Sequence, residues 1–434
     1  MRIIKENQIA PFIARLRRRA STSVREDEIQ RTVRKIIADV QKEGDRAVFR
    51  YTEKFDAIRL KSLTVDSREI NDAAKKAGKD FLRALKRSAK RIRQFHERQR
   101  EASWKYSEEG ITLGQIISPL QRVGVYVPGG KAAYPSTVLM NVIPAQVAGV
   151  PEIALCVPTP GGRLNPHVAA AVKLLRVNEV YRIGGAQAVA ALAYGTKTIR
   201  QVDKIVGPGN IYVAVAKRMV FGEVGIDMVA GPSEILVIAD RSGDPAFIAA
   251  DLLSQAEHDE MVSSVLVTDS AALARAVSRS LRDQMKKLTR KNIAQNSLAR
   301  YGAIIITGDL DEAVRVANMI APEHLEIMTA APKRLLPGIR NAGAVFLGKW
   351  TPEPLGDYAA GPNHTLPTGG TARFSSPLGV YDFIKRTSLL NASMRGFMGL
   401  ADTVETFADL EGLEAHGNTV RVRLKKSGRT EARK

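Results

Sequence analysis

The stretch "EILVIADRSGDPAFIAADLLSQAEHDEMVSSVLVTD" (residues 234–269) sets two nearly continuous Val/Ile/Leu runs around a segment of helical character. Continuous apolar runs, rather than alternating ones, are what parallel strands covered on both faces require. Pro245 suits the first turn of the intervening helix. The stretch therefore reads strand–helix–strand, the unit from which open α/β sheets are built. The same texture begins near Ile111 and recurs in "RVGVYVPGG" (122–130), "EIALCVPTP" (152–160), "EVYRIGG" (179–185), "KIVGPGN" (204–210), "GAIIITGD" (302–309) and "GAVFLG" (343–348). Helical patterns such as "NPHVAAAVKLLRV" (165–177) and "LDEAVRVANMIA" (310–321) lie between them. A break at "MVAGPSE" (228–234) is placed to divide two such sheets. Residues 1–105 read as helical throughout, with "DEIQRTVRKIIADVQKEG" (27–44) showing one apolar face closed by Gly44. From about residue 380 the chain reads as helical and polar again, ending in a basic tail expected to lack fixed structure.

A chain of 434 residues can hold two or three domains. Its 44% apolar and 25% charged residues are those of a soluble globular enzyme. No stretch approaches 18 uninterrupted apolar residues, so no membrane-spanning helix is expected. The start lacks the apolar core of a secretory signal. The single cysteine, Cys156, excludes an intrachain disulfide and fits a reducing compartment, so a cytoplasmic location is expected. It lies in an apolar run and reads as a core residue. The net charge of +20 invites a nucleic-acid reading. However, residues 1–100 carry 28 Lys and Arg against 14 Asp and Glu, residues 421–434 carry 7 against 1, and the central 320 residues are neutral. The basic stretch "LKRSAKRIRQFHERQR" (85–100) reads as a solvated helix face, with an anionic-surface patch as the alternative.

Open α/β sheets bind ligands beyond the carboxyl ends of their strands. Gly, Pro or polar clusters mark such positions at "VYVPGG" (125–130), "RIGGAQA" (182–188), "VGPGN" (206–210), "VAGPSE" (229–234) and "APEHLE" (321–326). "GPGNIY" lacks the third glycine of a dinucleotide fingerprint, yet still suits a backbone approaching a phosphate. Only six histidines occur, and four lie near carboxylates: His258, His324, His364 and His416. Gln255 and His258, three apart near a helix end, can project from one side and share an ion. The alternative is a polar C-terminal turn. Glu323 and His324 are adjacent, which suits two separate roles in proton transfer better than one shared metal. The Gly/Pro-rich stretch 351–383, which holds Asp357, is longer than a compact domain usually carries without a function.

At these residues the sequence resembles the histidinol dehydrogenase family over about residues 25–425. The resemblance rests on "GPGNIYVAVAKRMVFGEVGIDMVAGPSEILVIAD", "DLLSQAEHDE", "APEHLE", "NAGAVFLG", "GDYAAGPNHTLPTGGTARFSS" and "LEGLEAH". It implies zinc held by Gln255, His258, Asp357 and His416, and an acid/base pair of Glu323 and His324. It implies histidinol contacts from Ser233, Gln255, His258, His324, Asp357, Glu411 and His416, and NAD contacts from Tyr126, Gln187 and Asn210. The implied fold is two incomplete Rossmann-like domains with helical appendages. Residues 1–25 would form a helical arm, 26–121 with 233–378 one domain, 122–232 the NAD domain, and 379–434 a dimerisation segment. The implied protein is a homodimer in which His416 and Glu411 serve the other subunit's site. The implied reaction is the four-electron oxidation of L-histidinol to L-histidine, the last two steps of histidine biosynthesis. Two readings compete: a related dehydrogenase of another small alcohol, such as a sulfonated propanediol, and a nucleic-acid-binding protein using the helical N-terminal region.

Overall fold

The computed structural model describes residues 1–19, 23–129 and 133–426. In chain order it opens with strand β1 (Arg2–Ile4) and helix α1 (Ile9–Arg18), followed by α2 (Ser23–Glu43), α3 (Asp45–Asp56), α4 (Ser67–Ala74) and α5 (Lys79–Glu97). A hairpin comes next, β2 (Trp104–Glu108) and β3 (Ile111–Pro119). A first strand–helix series holds β4 (Arg122–Tyr126), α6 (Pro135–Ala148), β5 (Glu152–Cys156), α7 (Pro166–Leu174), β6 (Glu179–Tyr181), α8 (Gly185–Tyr194), β7 (Lys204–Val206), α9 (Ile211–Val220) and β8 (Gly225–Ile226). A second holds β9 (Glu234–Ala239), α10 (Pro245–Ala256), β10 (Ser263–Thr268), α11 (Ala271–Met285), α12 (Lys291–Arg300), β11 (Ala303–Ile306), α13 (Leu310–Ile320), β12 (His324–Met328) and β13 (Ala344–Leu347). The short helix α14 (Glu353–Leu355) runs into a single π-turn, Gly356–Ala360. The chain then gives β14 (Ile384–Ala392), α15 (Met394–Leu410) and α16 (Glu414–Lys426).

Residues 1–100 and 120–383 form one compact unit with two parallel sheets. One sheet runs β6-β5-β4-β7-β8, and the other β1-β11-β10-β9-β12-β13. In each, the strands of its own series stand in the order third, second, first, fourth, fifth. That is the Rossmann order without its sixth strand, so the fold is α/β with two incomplete Rossmann-like sheets. The expected break near residue 230 falls between them. Every residue of β9 and β10 is buried, as their continuous apolar runs require. Helix α10 starts at Pro245 and is capped by the Asp244 side chain, which accepts from the Ala246 N–H.

Three sequence expectations differ from the structure here. Arg2–Ile4, read as part of a helical arm, pairs with β11; three residues are too few to show a period. The helices over 23–97, expected to share a domain with 233–378, place their apolar faces against the β4–β8 sheet, with Val33 and Val40 in a core with Leu192 and Ile205 and Ile70 and Ile92 in one with Val125 and Val138. Helix α5 also meets the later stretch, where Arg91 donates to the Ala360 carbonyl. An amphipathic pattern shows which face is buried, not against what. Finally, "VAGPSE" and "APEHLE" precede β9 and β12, so they mark amino ends and not carboxyl ends.

The second unit comprises residues 101–119 and the chain from Ile384 on. Strand β14 pairs antiparallel with β3 along its full nine residues, and β2 pairs with β3 on the other side. The expectation of helix from about residue 380 is thus corrected over 384–392. Most of β14 and all of β2 are exposed, so neither carries the apolar period that announces a half-buried strand. The basic tail beyond Lys426 and Gly130 of the "VYVPGG" turn lie outside the described residues.

Candidate active site

Helix α10 runs back along the sheet, so its carboxyl end lies at the same edge as the amino ends of β9 and β12. This brings Gln255, His324 and Glu323 together. The Gln255 Nε2 and the Glu234 carbonyl oxygen each lie 3.1 Å from His324 Nδ1. A Glu323 carboxylate oxygen lies 3.9 Å from the same nitrogen and accepts the Glu234 main-chain N–H at 3.0 Å. The Gly/Pro-rich stretch after β13 closes the other side. Its α14 and π-turn place a Glu353 oxygen 3.8 Å and an Asp357 oxygen 3.7 Å from His324 Nε2. Single π-turns of this kind are frequent at functional sites. The half-buried His364 reaches the Asp357 carbonyl through Nδ1 at 3.1 Å. His258, just beyond the end of α10, is exposed and has Asp357 and His324 among its charged neighbours. Ser233 immediately precedes β9, where its carbonyl accepts the Ser263 N–H.

Burial and mutual charge set the ionisation of this cluster. Burial pushes the Glu323 carboxyl up to about 7, against the opposing charge of His324. Burial alone would lower His324, but the charges of Glu323, Asp357 and Glu353 outweigh it and raise the imidazole to about 10. Glu353 is raised by burial and by Asp357. Asp357 is held below the usual range despite burial, because His324 and His364 face it.

The cluster fits a divalent cation. His324, Glu353 and Asp357 each offer a ligand atom, all within 4.8 Å of one another. Gln255 Oε1 and His324 Nε2 are buried with no hydrogen-bond partner among the described residues, which is costly unless something else satisfies them. A mixed set of nitrogen and oxygen donors suits a borderline ion. Glu353 was not singled out from the sequence. Its position four residues before Asp357 is the signal that could have found it, since such pairs share a helical face.

The sheet β6-β5-β4-β7-β8 carries the other predicted residues at its carboxyl edge. Tyr126 ends β4, and its hydroxyl oxygen accepts the Gly185 N–H at 3.1 Å. Gln187, in the first turn of α8, is buried with its Oε1 unpartnered among the described residues. Asn210 caps α9 by accepting from the N–H groups of Tyr212 and Val213. Strands β4 and β7 are where the strand order reverses, the position at which open α/β sheets take ligands. The Gly207 turn there is fixed twice: its carbonyl accepts the Lys217 ammonium at 2.9 Å, and its N–H donates to Asp227 at 2.8 Å. Lys217 and Asp227 also pair directly in the interior. Glu411 caps the end of α15, and His416 lies in the first turn of α16, both in the second unit.

Two Rossmann-ordered sheets, one with glycine turns at its carboxyl edge and one with a buried imidazole–carboxylate cluster that fits a cation, make this an α/β protein with a site of the kind enzymes build. The family model of histidinol dehydrogenase matches residues 18–424. The chain is 55% identical over 402 residues to the histidinol dehydrogenase of Geobacter sulfurreducens, covering 92% of this chain and 94% of that one. It is 52% identical over 412 residues to that of Bacillus subtilis, covering 94% and 96%. The crystal structure of histidinol dehydrogenase from Elizabethkingia anophelis superposes with a TM-score of 0.93 at 36% identity, covering 99% of both chains. An acetylating aldehyde dehydrogenase from Geobacillus thermoglucosidasius shares the fold at a TM-score of 0.50 and 12% identity, covering 89% of this chain and 97% of that one. The chain belongs to the histidinol dehydrogenase family, a family of oxidoreductases. No helix among the described residues is long and apolar enough to cross a membrane.

Proposed function

We propose that this chain catalyses the zinc-dependent oxidation of L-histidinol to L-histidine with two NAD, through a bound aldehyde. The observation that carries the reading is the burial of Glu323 and His324 side by side, within a ring formed by Gln255, Glu353 and Asp357. Membership of the family supports the substrate. His324, freed of its proton once a cation offsets the carboxylates that raise it, would remove the hydroxyl proton as the carbinol carbon gives up a hydride, which the first NAD would accept. Glu323 then takes a proton from water as its oxygen adds to the aldehyde, and His324 returns its proton to the former carbonyl oxygen, giving a gem-diol and leaving His324 neutral. His324 removes a proton from the gem-diol as the second hydride leaves to a second NAD. Each acid/base role is typically worth about 10²–10⁴ in rate.

Gln255, His258 and Asp357, with His416, would hold the zinc, which supplies a Lewis-acidic anchor that orients the amino-alcohol. Ser233, Gln255, His258, His324, Asp357, Glu411 and His416 would contact the substrate, and Tyr126, Gln187 and Asn210 the NAD. The chain would act as a homodimer, with Glu411 and His416 serving the partner copy. That is supported by the exposure of Leu390, Met394, Phe407 and Leu410 in the second unit, large apolar side chains that a partner copy would cover. The setting would be the cytoplasm and the pathway histidine biosynthesis.

Parallel assays of histidinol and a sulfonated propanediol with NAD test the substrate. NADH formation from histidinol alone is expected. Turnover of the sulfonated alcohol in its place would replace the reading with that of a related dehydrogenase. Glu411 favours histidinol, since its carboxylate suits an ammonium.

A further inference from the structure

The first nineteen residues have no part in the chemistry above, yet one of them reaches the centre of the molecule. Ile9, Phe12, Ile13 and Leu16 of α1 join the core of the β9–β13 sheet. Arg17 donates to the Met319 carbonyl at 3.0 Å. Arg19, at the end of α1, is buried despite its charge, with 0% of its side chain exposed and 5% of that of its partner Glu234. One guanidinium nitrogen, Nη2, donates to the Pro232 carbonyl at 2.9 Å and to Glu234 Oε1 at 2.5 Å. It thereby spans Ser233. The guanidinium carbon also lies 5.9 Å from the centre of the Tyr301 ring.

Glu234 is the residue whose main chain holds both acid/base side chains. Its N–H donates to Glu323, and its carbonyl lies against His324 Nδ1. A buried ion pair is a poor way to gain stability alone, because apolar residues of similar size often do as well. Sharing the one nitrogen Nη2 between the Pro232 carbonyl and the Glu234 carboxylate does tie the two ends of a short segment together, although Nε and Nη1 have no partner among the described residues. Here the fixed element is the three-residue segment on which two proton carriers lean.

We propose that Arg19 and Glu234 are positioning residues for the Glu323–His324 pair: the guanidinium clasps residues 232–234, so that the Glu234 peptide groups hold both side chains at the angle proton transfer needs. The N-terminal segment thereby becomes part of the catalytic support. This rests on the acid/base reading of Glu323 and His324.

The test uses the full-length, metal-loaded enzyme and its Arg19→Met, Arg19→Lys and Glu234→Gln variants. It measures kcat and KM for histidinol, metal content and thermal midpoint. Misplacement lowers kcat at least about tenfold in Arg19→Met and Glu234→Gln while KM stays within about threefold. Metal content is unchanged. Arg19→Lys recovers the thermal midpoint but only part of kcat, since the shorter, more strongly hydrated ammonium does not reach the Nη2 position that touches both Pro232 and Glu234. If Arg19→Met does not fold, Arg19→Lys and the isosteric Glu234→Gln decide. A kcat within about twofold of wild type in these variants, measured well below their midpoints, overturns the proposal and leaves the pair a structural anchor. A wild-type enzyme that does not oxidise histidinol overturns the functional reading instead, so the two failures are distinct.

Discussion

Glu323 and His324, neighbours in sequence, are the two groups proposed to carry the protons. Glu323 lies just before β12, so the alternation of strand side chains does not separate it from His324, and the two approach to 3.9 Å. Their different surroundings divide the work between them. His324→Asn is expected to abolish both oxidations. Glu323→Gln should slow aldehyde oxidation by about 10² or more while alcohol oxidation falls less. Single-turnover assays on histidinol and on histidinaldehyde measure each step, and wild-type aldehyde turnover in Glu323→Gln would remove Glu323 from the water step. Glu353 extends the prediction, since it is buried 3.8 Å from His324 and Asp357 raises its pKa. Glu353→Gln removes a carboxyl that a bound cation would hold ionised, and should weaken zinc binding by about 10-fold or more, read by competition with a chromophoric chelator. Sequence patterns exposed the adjacent Glu323 and His324 and the Gln255/His258 spacing, because each is a local signal. Glu353 stayed hidden in a stretch with no helical period, where one short turn decides what faces the site.

At the scale of elements, the turn at Gly207 fixes the edge proposed to take the dinucleotide. The Gly207 backbone has φ of +113°, and a side-chain carbon there would come within 2.1 Å of the Tyr126 carbonyl. Gly207→Ala must therefore shift β7 against β4 at the strand-order reversal. NADH affinity should fall by about tenfold or more, measured by fluorescence titration, while zinc content is retained. Unchanged NADH affinity would place the dinucleotide elsewhere. The apolar runs at 235–239 and 265–267 announced buried parallel strands correctly. They could not tell whether "VAGPSE" and "APEHLE" begin or end a strand, because an apolar run has no direction. In the β9–β13 sheet the cluster sits at the amino edge, opposite to the general rule for such sheets. The reason is that α10, packed antiparallel to the strands, delivers Gln255 there. Strand β14 was read as helix because exposure on most of its length leaves no period to detect.

At the scale of the whole molecule, the buried cluster links cation binding to pH. Glu323 has a pKa raised from 4.5 to about 7, and His324 from 6.5 to about 10. Groups raised on folding stabilise the folded state below their unfolded values, and that contribution is lost as pH rises through the folded ones. Without metal, Glu323 therefore costs stability as pH climbs from about 4.5 to 7, and His324 as it climbs from about 6.5 to 10. A divalent cation held beside them would oppose those protons by its charge, and so bind more tightly as they leave. The rise in thermal midpoint on adding zinc to the metal-free enzyme should grow between about pH 5.5 and 8. A rise that does not change with pH would mean that the ion binds away from this cluster.

The central claim is that one site carries a primary alcohol through four electrons without releasing the aldehyde. The most direct measurement is the NADH formed per histidinol consumed, with the product identified, before and after removal of the metal by chelation. Two NADH per histidinol with histidine as product, lost on chelation and restored by zinc, is the predicted result. One NADH per histidinol with free aldehyde accumulating, or a ratio of two that survives complete metal removal, would contradict the account.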